Sequence, residues 1–193
     1  VGSEMCIRDR SKTGVVNVKQ TWWWQVIKKA GFKLGANDSY SGATVSYSGY
    51  NDEDYADRSF ITRVPRLGNP DIILIFGGIN DNWANTPIGE YKYEDFKRAD
   101  LYTYRPALAK LIELAQEHYP NVTLYFIISD DLKTEIVEST KVVCEHYGIK
   151  YVQLQGIEKE SGHPTVKGME TIANQVLTCL LYTSPSPRDR SLS

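Results

Sequence analysis

Apolar residues fall in short dense runs along this chain, and the spacing between them changes from run to run. Residues 71–76 and 122–128 are nearly continuous apolar stretches of strand length, and 149–154 is a third strand candidate interrupted by Lys150 and Gln153. A nearly continuous run is the pattern of a strand buried on both faces. Residues 32–36 form a shorter strand candidate. Between the runs the period becomes helical. Trp22, Trp23, Val26, Ile27 and Ala30 recur at helix spacing, with Thr21 placed as an N-cap and Gly31 as a stop. Three consecutive tryptophans, Trp22 to Trp24, cannot all share one helix face. Further helices are predicted over 59–67, over 93–118 with a bend at Pro106, over 132–147 with Gly148 as the stop, and over 165–177. The tracts 43–58 and 82–93 are rich in Ser, Tyr, Gly, Asn and Asp, the composition of loops. Strands alternating with helices predict βαβ units, hence an α/β fold with a parallel sheet covered on both faces.

Three polar clusters punctuate this frame: Asn37-Asp38-Ser39-Tyr40-Ser41-Gly42, Gly78-Ile79-Asn80-Asp81 and Gly162-His163-Pro164. The second begins where the strand over 71–76 runs out, and the carboxyl ends of strands are where open α/β sheets gather ligands. A glycine amide and an asparagine carboxamide donate to an oxyanion, and a histidine serves as general base. Pro164 restricts His163 to extended conformations, which presents the imidazole from a rigid turn.

In that order the clusters resemble the SGNH/GDSL hydrolase superfamily. Its N-x-x-x-S-G loop is matched by residues 37–42, and its G-x-N-D block by residues 78–81. Its acid three residues before a His-Pro is matched by Glu160, His163 and Pro164. The resemblance runs from about Gln20 to about Ile172. It implies a flavodoxin-like three-layer α/β/α sandwich and a serine esterase or acyl hydrolase. His163 would be the general base and Glu160 its orienting acid. The Gly42 N–H and the Asn80 side chain would be oxyanion donors, with Asp81 anchoring the loop by hydrogen bonds to backbone. Glu160 stands where the family usually has Asp and is one methylene longer, so Glu158 or a backbone carbonyl stays open as the orienting group.

The family's first block, Gly-Asp-Ser after the first strand, has no match here. Ser39 in Asp38-Ser39 mimics it, but Asn37 replaces the glycine and a helix pattern precedes the loop. The chain ends offer an explanation. Residues 179–189 admit codons whose complementary strand, in another frame, translates as residues 1–9. One short DNA joined to both ends of a fragment, as in sequencing libraries, produces that relation. Residues 1–10 and 179–193 are therefore expected to be adapter-derived tails around a partial domain over 11–178. The first strand and the nucleophile would then be encoded just ahead of Ser11.

Composition narrows the partners. The chain has 22 Lys and Arg against 24 Asp and Glu, with no basic stretch, so nucleic acid is not an expected partner. No run reaches the length of a membrane span. Of the three cysteines, Cys6 and Cys179 fall in the expected tails, which leaves Cys144 in an apolar helical stretch as a core thiol. No metal-ligand spacing and no glycine-rich phosphate loop is present, so no cofactor or metal is expected.

Tyr47, Tyr50, Tyr55, Trp83, Tyr91 and Tyr93 lie in the two loops flanking the clusters. Aromatic faces among Asn and Asp suit a sugar, so Trp83, Tyr47 and Ser41 are the substrate-binding candidates, for an acylated or acetylated saccharide. Two alternatives stand beside this reading. In one the rings pack the loops onto the sheet; in the other the chain is a non-catalytic carbohydrate-binding or scaffold module on the same fold.

Overall fold

A computed structural model describes residues 13–183. The tail expected over 1–10 lies outside the described residues, as does the part of the tail expected over 179–193 from residue 184 on; residues 179–183 continue the last helix. Within the described residues the chain divides into two units, one formed by 34–155 and the other by 13–33 with 156–183.

The first unit holds a parallel sheet in the order β1-β2-β3, with β1 Ile72–Phe76, β2 Thr123–Ile128 and β3 Lys150–Gln153. Ile73 pairs with Leu124, Ile75 with Phe126, and Ile127 with Val152. Ile73, Ile75, Leu124, Phe126 and Ile128 join one apolar cluster with residues of α2 (Phe60–Arg63), α4 (Tyr104–His118) and α5 (Thr134–His146). The alternate positions Phe76, Tyr125 and Ile127 are also buried. Both faces of β1 and β2 are thus covered, as their apolar runs require, whereas Lys150 and Gln153 of β3 are exposed. α4 connects β1 to β2 and α5 connects β2 to β3, which gives the βαβ repeat of a three-layer α/β fold.

In the second unit, α1 (Trp22–Ala30) packs on α6 (Val166–Thr183). Trp22 and Val26 are buried from α1, and Met169, Ile172, Ala173 and Val176 from α6. The three tryptophans do split: Trp22 is buried, and Trp23 and Trp24 are half-buried. Gly31 ends α1 at φ 70°, a left-handed stop that glycine takes without strain. A small antiparallel pair, β4 (Lys159–Glu160) and β5 (His163–Pro164), precedes α6.

Several expectations from the pattern need correction. No strand forms over 32–36. Those residues are exposed, with Phe32 at 40% and Leu34 at 45%, and the stretch makes no ladder among the described residues. Alternating apolar residues with neither a sheet edge nor a core to meet gain nothing from extension. The helix predicted from residue 93 begins at Tyr104, after a 3₁₀ segment Arg98–Tyr102. Pro106 therefore sits in the first turn of α4, where its missing N–H costs no hydrogen bond, and it marks a helix start rather than a bend. Thr21 occupies the N-cap position, but its hydroxyl donates to the Val18 carbonyl at 2.6 Å instead of capping α1. The tract 43–58 is irregular as predicted, yet Ala43, Thr44, Val45 and Ser46 are at most 1% exposed.

Candidate active site

A buried irregular segment such as 43–46 must find partners for its backbone polar groups. Here they come from the residues after β1. That strand runs into Gly77 and Gly78, and then α3 (Ile79–Trp83). A Cβ on Gly77 would lie 2.6 Å from the Phe60 ring and 3.1 Å from the Val45 side chain, so only glycine fits there. Gly78 takes φ 88°, which turns the chain into α3 and carries Asn80 and Asp81 inward.

Asp81 is fully buried and its two carboxylate oxygens accept the Val45 N–H at 2.8 Å and the Ser46 N–H at 3.0 Å. It anchors the loop through backbone hydrogen bonds, the role the sequence suggested. Burial pushes its carboxyl above the ordinary range, against the pull of the Ser46 and Val45 N–H groups.

Asn80 is 5% exposed. Its Nδ2 donates to the Ala43 carbonyl at 2.9 Å, and its Oδ1 accepts from the Tyr50 hydroxyl at 2.6 Å. A carbonyl only accepts, so the carboxamide has one possible orientation. Gly42 directly precedes Ala43, and the structure therefore brings Gly42 and Asn80 together. Gly42 has φ 76° and open space where a Cβ would be. Among the described residues, its N–H and the second Nδ2–H of Asn80 have no hydrogen-bond partner.

The three substrate-binding candidates have different surroundings. Ser41 is exposed beside Gly42. Trp83 is 40% exposed and lies three residues after Asn80 on α3, hence on the same helix face. Tyr47 is half-buried, packed on the core and edge-to-face with Tyr102 at 5.7 Å, with the Arg98 guanidinium over its ring. Tyr47 thus packs the loop, as do Tyr91 and Tyr93, which stack with each other at 6.3 Å. Ser39 donates its hydroxyl to the Asn37 side chain at 2.8 Å.

His163 and Glu160 belong to the second unit. They face each other across the β4–β5 pair. The two residues between them, Ser161 and Gly162, have φ of 50° and 79°, the signature of a two-residue type I′ hairpin. Directly opposed residues in such a pair have Cβ atoms about 4.5–5.5 Å apart, on one face. His163 is half-buried and extended, as its proline neighbour dictates, and Glu160 is exposed.

Glu158 is engaged elsewhere. Its carboxylate accepts the Thr165 hydroxyl at 2.6 Å and lies 3.6 Å from Lys167, while its carbonyl accepts the Thr165 N–H at 3.0 Å. Thr165 in turn accepts the Gly168 N–H at 3.1 Å and caps α6. A Cβ on Gly168 would lie 2.1 Å from the Glu158 carbonyl oxygen, so the hairpin seats on α6 only over a glycine.

Sequence reasoning passed over two residues that hold the motif residues within their own units, Tyr50 on Asn80 and Thr165 at the start of α6. Tyr50 stood among the loop aromatics with nothing to link it to Asn80. Thr165 had a visible signal, a threonine immediately before a helical run with a proline ahead of it. Among the described residues, no cluster of His, Cys, Asp or Glu could hold a metal ion, and no helix is long and apolar enough to cross a membrane.

The chain matches the GDSL-like Lipase/Acylhydrolase family over residues 5–180. It belongs to that family, whose chemistry is carboxylic ester hydrolysis of the SGNH type. A crystal structure described as a GDSL-like lipase from Bacteroides ovatus ATCC 8483 is 50% identical with a TM-score of 0.88, over 90% of this chain and 84% of that one. One from Bacteroides uniformis ATCC 8492 is 45% identical with the same TM-score, over 89% and 81%. A carbohydrate esterase shares the fold at 17% identity and a TM-score of 0.70, over 95% of this chain and 63% of its own. No protein of curated function matches the chain significantly.

Proposed function

We propose that the chain is the greater part of a serine ester hydrolase whose nucleophile is encoded ahead of Ser11, and that it acts on acyl esters of saccharides. In this reading the serine Oγ attacks the ester carbonyl while His163 takes its proton. The Gly42 N–H and the Asn80 Nδ2–H receive the charge that develops on the carbonyl oxygen. The tetrahedral adduct collapses to an acyl-enzyme, and the alcohol leaves with the proton from His163. Water, deprotonated by His163, then releases the acid. Glu160 holds the imidazole tautomer and stabilises the imidazolium.

The observation that carries the proposal is the pair of unspent donors at Gly42 and Asn80, held on a buried loop beyond the end of β1. Preorganised donors of this kind typically contribute about 10²–10³ in turnover each. The exposed Trp83 ring on the Asn80 face of α3 supports a sugar on the alcohol side.

The test uses the gene product read through from upstream of Ser11, an ester panel and its His163→Ala variant. Acetylated saccharides and p-nitrophenyl acetate are hydrolysed, His163→Ala removes nearly all turnover, and the 193-residue chain alone is inactive. Hydrolysis confined to long-chain acyl esters overturns the saccharide assignment. Turnover by the 193-residue chain that His163→Ala abolishes overturns the upstream nucleophile.

A further inference from the structure

We infer that Tyr50 is the positioning residue of the oxyanion site: its hydroxyl locks the Asn80 carboxamide so that the remaining Nδ2–H is available to the developing charge. The inference rests on the reading of Asn80 given above and extends it to a residue outside the family motifs.

The Tyr50 hydroxyl donates to Asn80 Oδ1 at 2.6 Å, and Ala43 holds Nδ2 from the other side at 2.9 Å. The two bonds clamp the amide plane and spend one of its two N–H groups. A donor at Oδ1 also draws electron density away from nitrogen and strengthens the unspent N–H as a donor. The loop is shaped to deliver this phenol. Asn51 and Asp52 both take positive φ, 54° and 60°, immediately after Tyr50. Gly49 has no room for a side chain, since a Cβ would lie 2.3 Å from the Tyr55 ring. Ser48 and Asp54 close the loop as an antiparallel bridge, and Gly49 N–H donates to the Glu53 carbonyl at 2.8 Å. Two non-glycine residues in the left-handed region are a cost that persists only where the surroundings impose it. Their effect is to hold Tyr50 on Asn80.

Tyr50→Phe deletes the hydroxyl and keeps the ring. In the gene product read through from upstream of Ser11, kcat on p-nitrophenyl acetate falls about 10- to 100-fold with KM within about twofold, the penalty of a misplaced catalytic group. Asn80→Ala falls about 10²–10³-fold. The double variant is no slower than Asn80→Ala alone, because the tyrosine acts only through the asparagine. Thermal unfolding of each variant checks the fold. A second measurement needs no turnover: in the ¹⁵N-labelled 193-residue chain, Tyr50→Phe shifts the Asn80 side-chain amide resonances. Wild-type kcat in Tyr50→Phe, additive losses in the double variant, or an unmoved Asn80 amide overturns the Tyr50 assignment and leaves the esterase reading standing. An Asn80→Ala variant with unchanged kcat overturns the oxyanion reading, and the role of Tyr50 with it, whatever the amide resonances do.

Discussion

Asp81→Ala removes the acceptor for two backbone donors at once. The Val45 and Ser46 N–H groups, both in fully buried residues, are left without their carboxylate. A buried donor stripped of its partner costs about 1–3 kcal/mol, which sums to about 2–6 for the pair. Relief from burying a carboxylate offsets part of that, so the expected loss is about 3 kcal/mol. A domain has only about 5–15 kcal/mol in total, so a loss of that size is conspicuous. Urea unfolding followed by tryptophan emission reads it as a lower midpoint at unchanged slope.

The same variant carries a pH signature. Burial holds the Asp81 carboxyl above its ordinary value of 3.8. Between 3.8 and that raised value the native state binds more protons than the unfolded chain, so the stability of the wild type rises as pH falls through the window. Asp81→Ala lacks this gain, and the gap between the two proteins widens from pH 7 towards pH 4. Asp54 and Asp100 work in the opposite direction. The Ala56 N–H holds Asp54 low and the Lys92 side chain holds Asp100 low, so their contribution is present above the ordinary value and lost as pH falls. Both are common to the two proteins and cancel in the difference. A loss below about 1 kcal/mol refutes the claim that Asp81 pins the loop. A gap that narrows towards pH 4 refutes the assignment of a raised carboxyl.

Gly77→Ala forces the Phe60 ring away from a Cβ at 2.6 Å, and thermal unfolding is expected to show a loss of about 1–3 kcal/mol. Gly168→Ala sets a Cβ 2.1 Å from the Glu158 carbonyl. It lowers stability by about the same amount and also lowers kcat in the gene product, because the hairpin bearing His163 must move. The Cys144 thiol is fully buried and pushed up to about 12 by that burial. It is expected to resist a thiol reagent at pH 8 in the native chain and to react at once in urea, as peptide mass spectrometry would show.

The strands β1 and β2 were legible because a parallel strand buried on both faces is apolar at nearly every position. The runs 71–76 and 122–128 have that pattern, 149–154 keeps it only in part around Lys150 and Gln153, and all three strands fall inside the predicted ranges. The failures share a cause. Residues 32–36 alternate well enough locally, but a strand exists only where a ladder accepts it. The start of α4 was missed because Tyr93 and Phe96 continue the helical apolar pattern while packing from an irregular segment. Pro106 then read as a bend instead of a first-turn residue. At the site, Gly42, Asn80 and Asp81 were visible as motif residues, since glycine and short polar side chains after a strand carry a local signature. Tyr50 was not, because its bond to Asn80 spans thirty residues of sequence and is made by folding alone. The turn before His163 was legible from Pro164, but the strand pairing that sets Glu160 opposite His163 was not, because it rests on the two positive φ angles of Ser161 and Gly162.

Fluorophosphonate labelling of the gene product read through from upstream of Ser11, followed by peptide mass spectrometry, identifies the nucleophile by its covalent adduct. A single labelled serine encoded ahead of Ser11 is expected, with labelling slowed in Asn80→Ala and nearly abolished in His163→Ala. Label on Ser39 or Ser41, or ester turnover without any labelled serine, would contradict that expectation.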